Sequence, residues 1–106
     1  MAGRYEYNEG SAVQVAVAFY DDQDESFVPA SARYRVDSLT SRENVVGWTA
    51  ITAAATATIT ISGTLNTISA GYVRETRQII VETTDDDGNK MVDTINYQLL
   101  NLLGIS

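Results

Sequence analysis

The stretch Thr56-Ala57-Thr58-Ile59-Thr60-Ile61-Ser62 alternates a hydroxyl residue with an apolar one at every step. In an extended chain Ala57, Ile59 and Ile61 fall on one side and Thr56, Thr58 and Thr60 on the other, which is the two-residue repeat of a strand with one face toward a core. The threonines and isoleucines are β-branched, and their stiff χ1 suits a pleated surface better than a helix. The reading is a strand with a buried isoleucine face and a solvated threonine face, ice or a second sheet being the alternative partners of so regular a surface.

Outward from this strand the same period recurs. Val45-Val46-Gly47-Trp48-Thr49-Ala50-Ile51 is an apolar run entered through a turn at residues 41–44. Ala53-Ala54-Ala55 starts a helical turn at most, because the β-branched residues after it disfavour a longer helix. Tyr34 and Val36 alternate with Arg33, Arg35 and Asp37, and Pro29 ahead of them lacks a ladder donor and suits a strand edge. Further back, Asp21-Asp22-Gln23-Asp24-Glu25-Ser26 is a charged loop. Before it, Val13, Val15, Val17 and Phe19 share one strand face against Gln14, Ala16 and Ala18.

Toward the C-terminus, residues 76–84 carry Ile79 and Val81 on one face and Ile80 on the other. Asp85-Asp86-Asp87-Gly88-Asn89 is a hairpin turn, Asp-Gly supplying the positive φ that a tight turn needs. The strand after it, residues 90–100, has Met91, Ile95, Tyr97 and Leu99 on one parity, and Asp93 in that series limits core entry to its second half. Six to seven short strands joined by polar turns, without helical periodicity, predict an all-β fold: a single antiparallel β-sandwich. The expected division is an N-terminal arm over 1–10, the sandwich over 11–98 and an apolar tail over 99–106.

Charge and composition exclude several function classes. Fourteen acids against seven bases give a net charge of −7, which repels a phosphate backbone, so nucleic acid is not an expected partner. The start of the chain lacks the basic and apolar regions of a secretory signal. Residues 44–73 carry no charge, yet seven threonines, two serines and two asparagines make that stretch unsuited to lipid, and no membrane association is expected. The chain has no histidine and no cysteine, so Ser/His/Asp and Cys/His devices and thiolate zinc sites are ruled out. A glycosidase-type carboxylate pair is the one enzymatic alternative, but the acids cluster in turns, and the expectation is a protein without catalytic residues or cofactors.

Three groups of residues invite a binding role. Asp85, Asp87 and Asn89 have the alternate spacing of a calcium loop, and Asp21, Asp22, Asp24 and Glu25 form a second acidic cluster. Neither has a downstream bidentate glutamate, and turn chemistry explains both. Trp48, beside Val45 and Val46, is read as a core aromatic rather than a binding hot spot. Arg33 and Arg35 share a strand face, and they and the pair Arg74 and Arg77 are expected to meet acids such as Glu75, Glu82 or Asp93 across strands. The apolar tail is the sharpest candidate: Leu99, Leu100, Leu102, Leu103 and Ile105 exceed what one strand face buries, so this segment either folds back on its own domain or forms an interface with a neighbour.

Several segments together carry a family likeness. Val28-Pro29-Ala30-Ser31-Ala32-Arg33-Tyr34-Arg35-Val36-Asp37, Val46-Gly47-Trp48-Thr49-Ala50-Ile51, Ala57-Thr58-Ile59-Thr60-Ile61, Arg74-Glu75-Thr76-Arg77-Gln78-Ile79-Ile80-Val81 and Asp93-Thr94-Ile95-Asn96-Tyr97-Gln98-Leu99 follow in an order that resembles small immunoglobulin-like proteins among the virion structural genes of tailed bacteriophages. The resemblance implies an immunoglobulin-like sandwich and a structural role, as a capsid decoration or cement protein on the major capsid protein or as a head-to-tail or tail adaptor. It implies many copies on a symmetric particle assembled in the host cytoplasm, with homo-oligomers among the forms, where avidity strengthens weak contacts. An adhesive or carbohydrate-binding module, with Trp48, Tyr5, Tyr7, Tyr20 and Tyr72 as platforms, is the expectation from a different class.

Overall fold

The computed structural model describes residues 5–21, 23–68 and 72–100. Among these, seven strands form two sheets. β1 (Tyr5–Asn8), β7 (Lys90–Leu100), β6 (Arg74–Thr84), β3 (Ser31–Ser38) and β4 (Asn44–Ile51) lie side by side in that order, and β2 (Val13–Ala18) pairs with β5 (Thr56–Ile61) in a second, two-stranded sheet. The sequence β7-β6-β3-β4 facing β2-β5 is the G-F-C-C′ and B-E order of the immunoglobulin sandwich, with no described strand in the place of D beside E. The chain is a small β-sandwich.

The pairings are antiparallel with one exception. β1 runs parallel to β7, Tyr5 opposite Tyr97 and Asn8 opposite Leu100, so the larger sheet is mixed rather than wholly antiparallel. Part of the expected N-terminal arm is therefore a strand of the domain. The β6–β7 hairpin closes as the turn residues predict, with Gly88 at φ 85° and the Asp85 amide donating to the Asn89 carbonyl at 2.9 Å.

The core is made by the inward parities of both sheets. Val13, Val15, Ile59 and Ile61 of the small sheet and Ala32, Val36, Ile79, Val81, Tyr97 and Leu99 of the large one are all buried, and Phe19 joins them just past β2. Tyr7 packs edge-on against Tyr97, ring centres 5.9 Å apart, which ties β1 to that core. β7 enters the core only in its second half, since Lys90 to Thr94 are exposed while Tyr97 and Leu99 are buried. Thr56, Thr58 and Thr60 face outward, as their alternation predicts.

Two expectations are corrected here. Leu99 is fully buried between the sheets and Leu100 ends β7 opposite Asn8 and Arg74, so these two residues belong to the domain and not to an interface tail. Trp48 is 41% exposed and stands on the outer face of the large sheet. The reason is a bulge: Tyr34 opposes Thr49 and Val36 opposes Val46, so two residues of β4, Gly47 and Trp48, stand against Arg35 alone. The extra residue reverses the parity that simple alternation from Val46 would give, and the indole turns outward.

Candidate functional site

The acidic turns lie at one end of the sandwich. Asp21, Asp85, Asp87 and Asn89 line a shared groove of about 330 Å³ together with Phe27, Thr83 and Met91. The carboxylates of Asp21 and Asp85 serve the loops themselves. Asp85 Oδ1 accepts the amides of Asp87 and Asn89, both at 2.9 Å, and Asp21 Oδ1 does the same for Gln23 and Glu25. The Asn89 amide, more than any other contact, holds the Asp85 carboxyl below the usual carboxylate range. Among the described residues no three acids converge where a cation would sit, and turn chemistry accounts for Asp85 and Asn89.

A second polar group lies inside the sandwich, where the spacing predicts Arg77 and Glu75 in a pairing across strands but neither their burial nor the part of Asn66. Glu75 and Arg77 face inward on β6, and their side chains are 0% and 4% exposed. Arg77 Nε donates to Glu75 Oε2 at 2.7 Å, while its terminal nitrogens donate to the Leu65 carbonyl, the Thr67 carbonyl at 2.7 Å and Asn66 Oδ1 at 3.2 Å. The Tyr97 hydroxyl donates to the same Asn66 oxygen at 3.0 Å, and the Asn66 amide reaches the Ser11 carbonyl at 2.8 Å. Burial pushes the Tyr97 phenol above its ordinary value. No buried side-chain polar atom among the described residues lacks a partner, so the cluster is a structural clamp joining both sheets to the connection after β5.

The outer face of the large sheet carries a line of charge around Trp48. The Arg33 guanidinium lies 4.0 Å from the centre of the indole ring and that of Arg35 5.6 Å away. Arg33 pairs across strands with Glu82 at 2.8 Å, and Arg35 pairs with Asp37 on its own strand at the same distance. These guanidiniums, each the largest influence on its partner, hold the Glu82 and Asp37 carboxyls low. A cross-strand meeting with Glu82 is what the spacing of Arg33 predicts; Arg77 instead finds Glu75 two residues away on its own strand.

The remaining candidate is the small sheet. β2 and β5 hold only each other, so each has an open edge among the described residues, and neither strand contains an ionisable side chain. Because the Phe19 amide donates to the Ala55 carbonyl in a ladder of constant register, the backbone groups of Ala57, Ile59 and Ile61 face β2. Those of Thr56, Thr58 and Thr60 point the other way, to the open side. There a groove of about 380 Å³ runs between β5 and the edge strand β4, lined by Tyr34, Thr49, Ile51, Ala54, Ala57 and Ile59. Of the expected interface residues, Leu102, Leu103 and Ile105 lie outside the described residues.

No helix among the described residues is long and apolar enough to cross a membrane. No protein-family model matches the chain, and no curated protein and no solved structure is detectably similar to it.

Proposed function

We propose that this chain is a non-enzymatic structural protein of a tailed-phage virion, a capsid decoration or cement protein that binds the major capsid protein in many copies. The observation that carries the reading is a contrast within one molecule. A chain of net charge −7 leaves β4, β5 and the chain between them without a single charge, and sets an uncharged open strand edge and a half-buried groove on that side. Charged edges are how sheets commonly discourage pairing with other chains, and a neutral one suits a permanent contact. The polar groups of the interior are engaged with one another, which leaves surface contact as the activity the residues support.

Mass spectrometry of purified, nuclease-treated particles from the source of the gene tests this. The chain is expected in a fixed ratio to the major capsid protein; its absence from particles refutes the proposal, and a ratio matching a single ring identifies the head-to-tail adaptor instead. The exposure of Trp48 favours a second reading, the adhesive or carbohydrate-binding module. The Arg33 guanidinium already covers part of that indole, so glycan binding would register as a change in tryptophan fluorescence, and a flat titration removes this reading.

A further inference from the structure

The two sheets are unequal, five strands against two, and the deficit has a definite place. β4 is the edge of the large sheet, and its inward residues Thr49 and Ile51 and the neighbouring Tyr34 are not closed over: Thr49 is exposed and the other two are half-buried. Beside them β5 presents the outward-pointing backbone groups of Thr56, Thr58 and Thr60. Among the described residues no strand lies there, at the position that D fills in the immunoglobulin order. An occupant would add to β5 by main-chain hydrogen bonds and lay alternate side chains into the groove over Tyr34 and Ile51.

We propose that residues 101–106 of a second copy of this chain fill this position. Asn101-Leu102-Leu103-Gly104-Ile105-Ser106 carries no side-chain charge, like the site. Leu103 and Ile105 are two residues apart, the spacing that puts both side chains on the groove side of a strand. The segment's reach argues against the β5 of its own molecule as the acceptor. It leaves from β7, and β7 is three strand intervals from β4, about 14 Å at the usual spacing. Six extended residues span about 20 Å, so a crossing would leave fewer than two residues to lie along β5. Donation between copies removes that limit and gives a head-to-tail contact, which repeats into a ring or a filament. This proposal stands on the geometry of the sandwich and holds whether or not the chain belongs to a virion.

Sedimentation of three forms of the purified protein tests it. The full chain is expected to self-associate with rising concentration, and a chain ending at Leu100 to remain monomeric. Thr58→Pro removes an amide that points away from β2, so it spares the fold's own ladder and closes the acceptor. This variant is expected to be monomeric alone, and mixed with the chain ending at Leu100 it should form a one-to-one complex, since one supplies the strand and the other the site. If circular dichroism finds Thr58→Pro unfolded, Thr49→Lys takes its place, putting a charge at the groove on an already exposed residue. A full chain that is monomeric at every concentration overturns the proposal. So does self-association that survives both the truncation and the blocked groove.

Discussion

Replacing Arg77 by methionine tests whether the buried clamp holds the two sheets together. Arg77→Met keeps the length of the stem but removes the guanidinium, and with it the contacts to Glu75, Asn66, Leu65 and Thr67. The Glu75 side chain is 0% exposed, so its carboxylate stays buried without the guanidinium that faced it. Removing one partner of a buried ion pair costs about 3–5 kcal/mol, against about a tenth of that for an exposed helical pair. Domains of this size are stable by about 5–15 kcal/mol, so the loss is a large share of the whole. A fall in melting temperature on the order of 20 °C follows. Urea and thermal unfolding monitored by far-ultraviolet circular dichroism measure it. The diagnostic comparison is the double variant Arg77→Met with Glu75→Met, which takes away the buried carboxylate as well and should regain more than half of the loss. A single variant that loses less than about 1 kcal/mol, the scale of a surface pair, refutes the reasoning. A double variant no more stable than the single one does so equally.

Four other outcomes follow from particular residues. Acrylamide should quench Trp48 fluorescence efficiently in the folded protein, and quenching only after unfolding would contradict the bulge that turns the indole outward. Because the folded-state value of Tyr97 is raised, the stability it confers is present below the ordinary phenol value near 10 and is lost as pH rises beyond it; melting temperature should fall there, and less in Tyr97→Phe. At the acid end, Asp37, Glu82 and Asp85 have lowered values, so their contribution is present above pH ~4 and disappears as pH falls through those values, with Asp37→Asn flattening part of the acid limb. Gly63→Ala would place a Cβ 2.2 Å from the Gly10 carbonyl oxygen, a backbone atom that cannot step aside, and should cost at least about 1–3 kcal/mol in urea unfolding, whereas an unchanged midpoint would show that the two connections do not touch.

The period-2 pattern made most of the architecture legible. Residues 11–100 yielded six strands close to their observed bounds, and the Asp93 interruption correctly limited the buried part of β7. β1 escaped because it is four residues long and its partner lies at the far end of the sequence, so nothing local marks it. Trp48 was misplaced because alternation assumes one residue opposite one, and a bulge is a property of the pairing rather than of the strand. The pairing of Arg77 with Glu75 was legible only as a contact across strands, and its burial was not legible, for a different reason. Glu75 and Arg77 sit on the same parity as Ile79 and Val81, which was signal enough to put them inside, but charged side chains are ordinarily read as solvated. Asn66 carried no periodicity to read, lying in the connection after β5. The open edge of β5 depends on which strands pair, and only the uncharged run of residues 44–73 hinted at it.

The position at which the tail begins decides what a truncation can teach. Composition alone puts the boundary before Leu99, because five of the eight residues from there on are leucine or isoleucine. Leu99, however, is 0% exposed, packed in the same core as Val13 and Ile79, and its backbone is held between Tyr7 of β1 and Glu75 of β6. Removing residues 99–106 therefore deletes a buried leucine, which costs about 2–5 kcal/mol for the side chain alone, and it also strips the end of the strand on which β1 depends. Such a protein would fail to assemble because it is partly unfolded, and the failure would imitate a lost docking contact. A chain ending at Leu100 keeps every described pairing of β7. Its melting temperature should match that of the full chain measured at a concentration where both are monomeric, while assembly is lost. If this shorter truncation also melts many degrees lower, residues 101–106 are part of the domain's own packing, and the case for their docking on a neighbour fails.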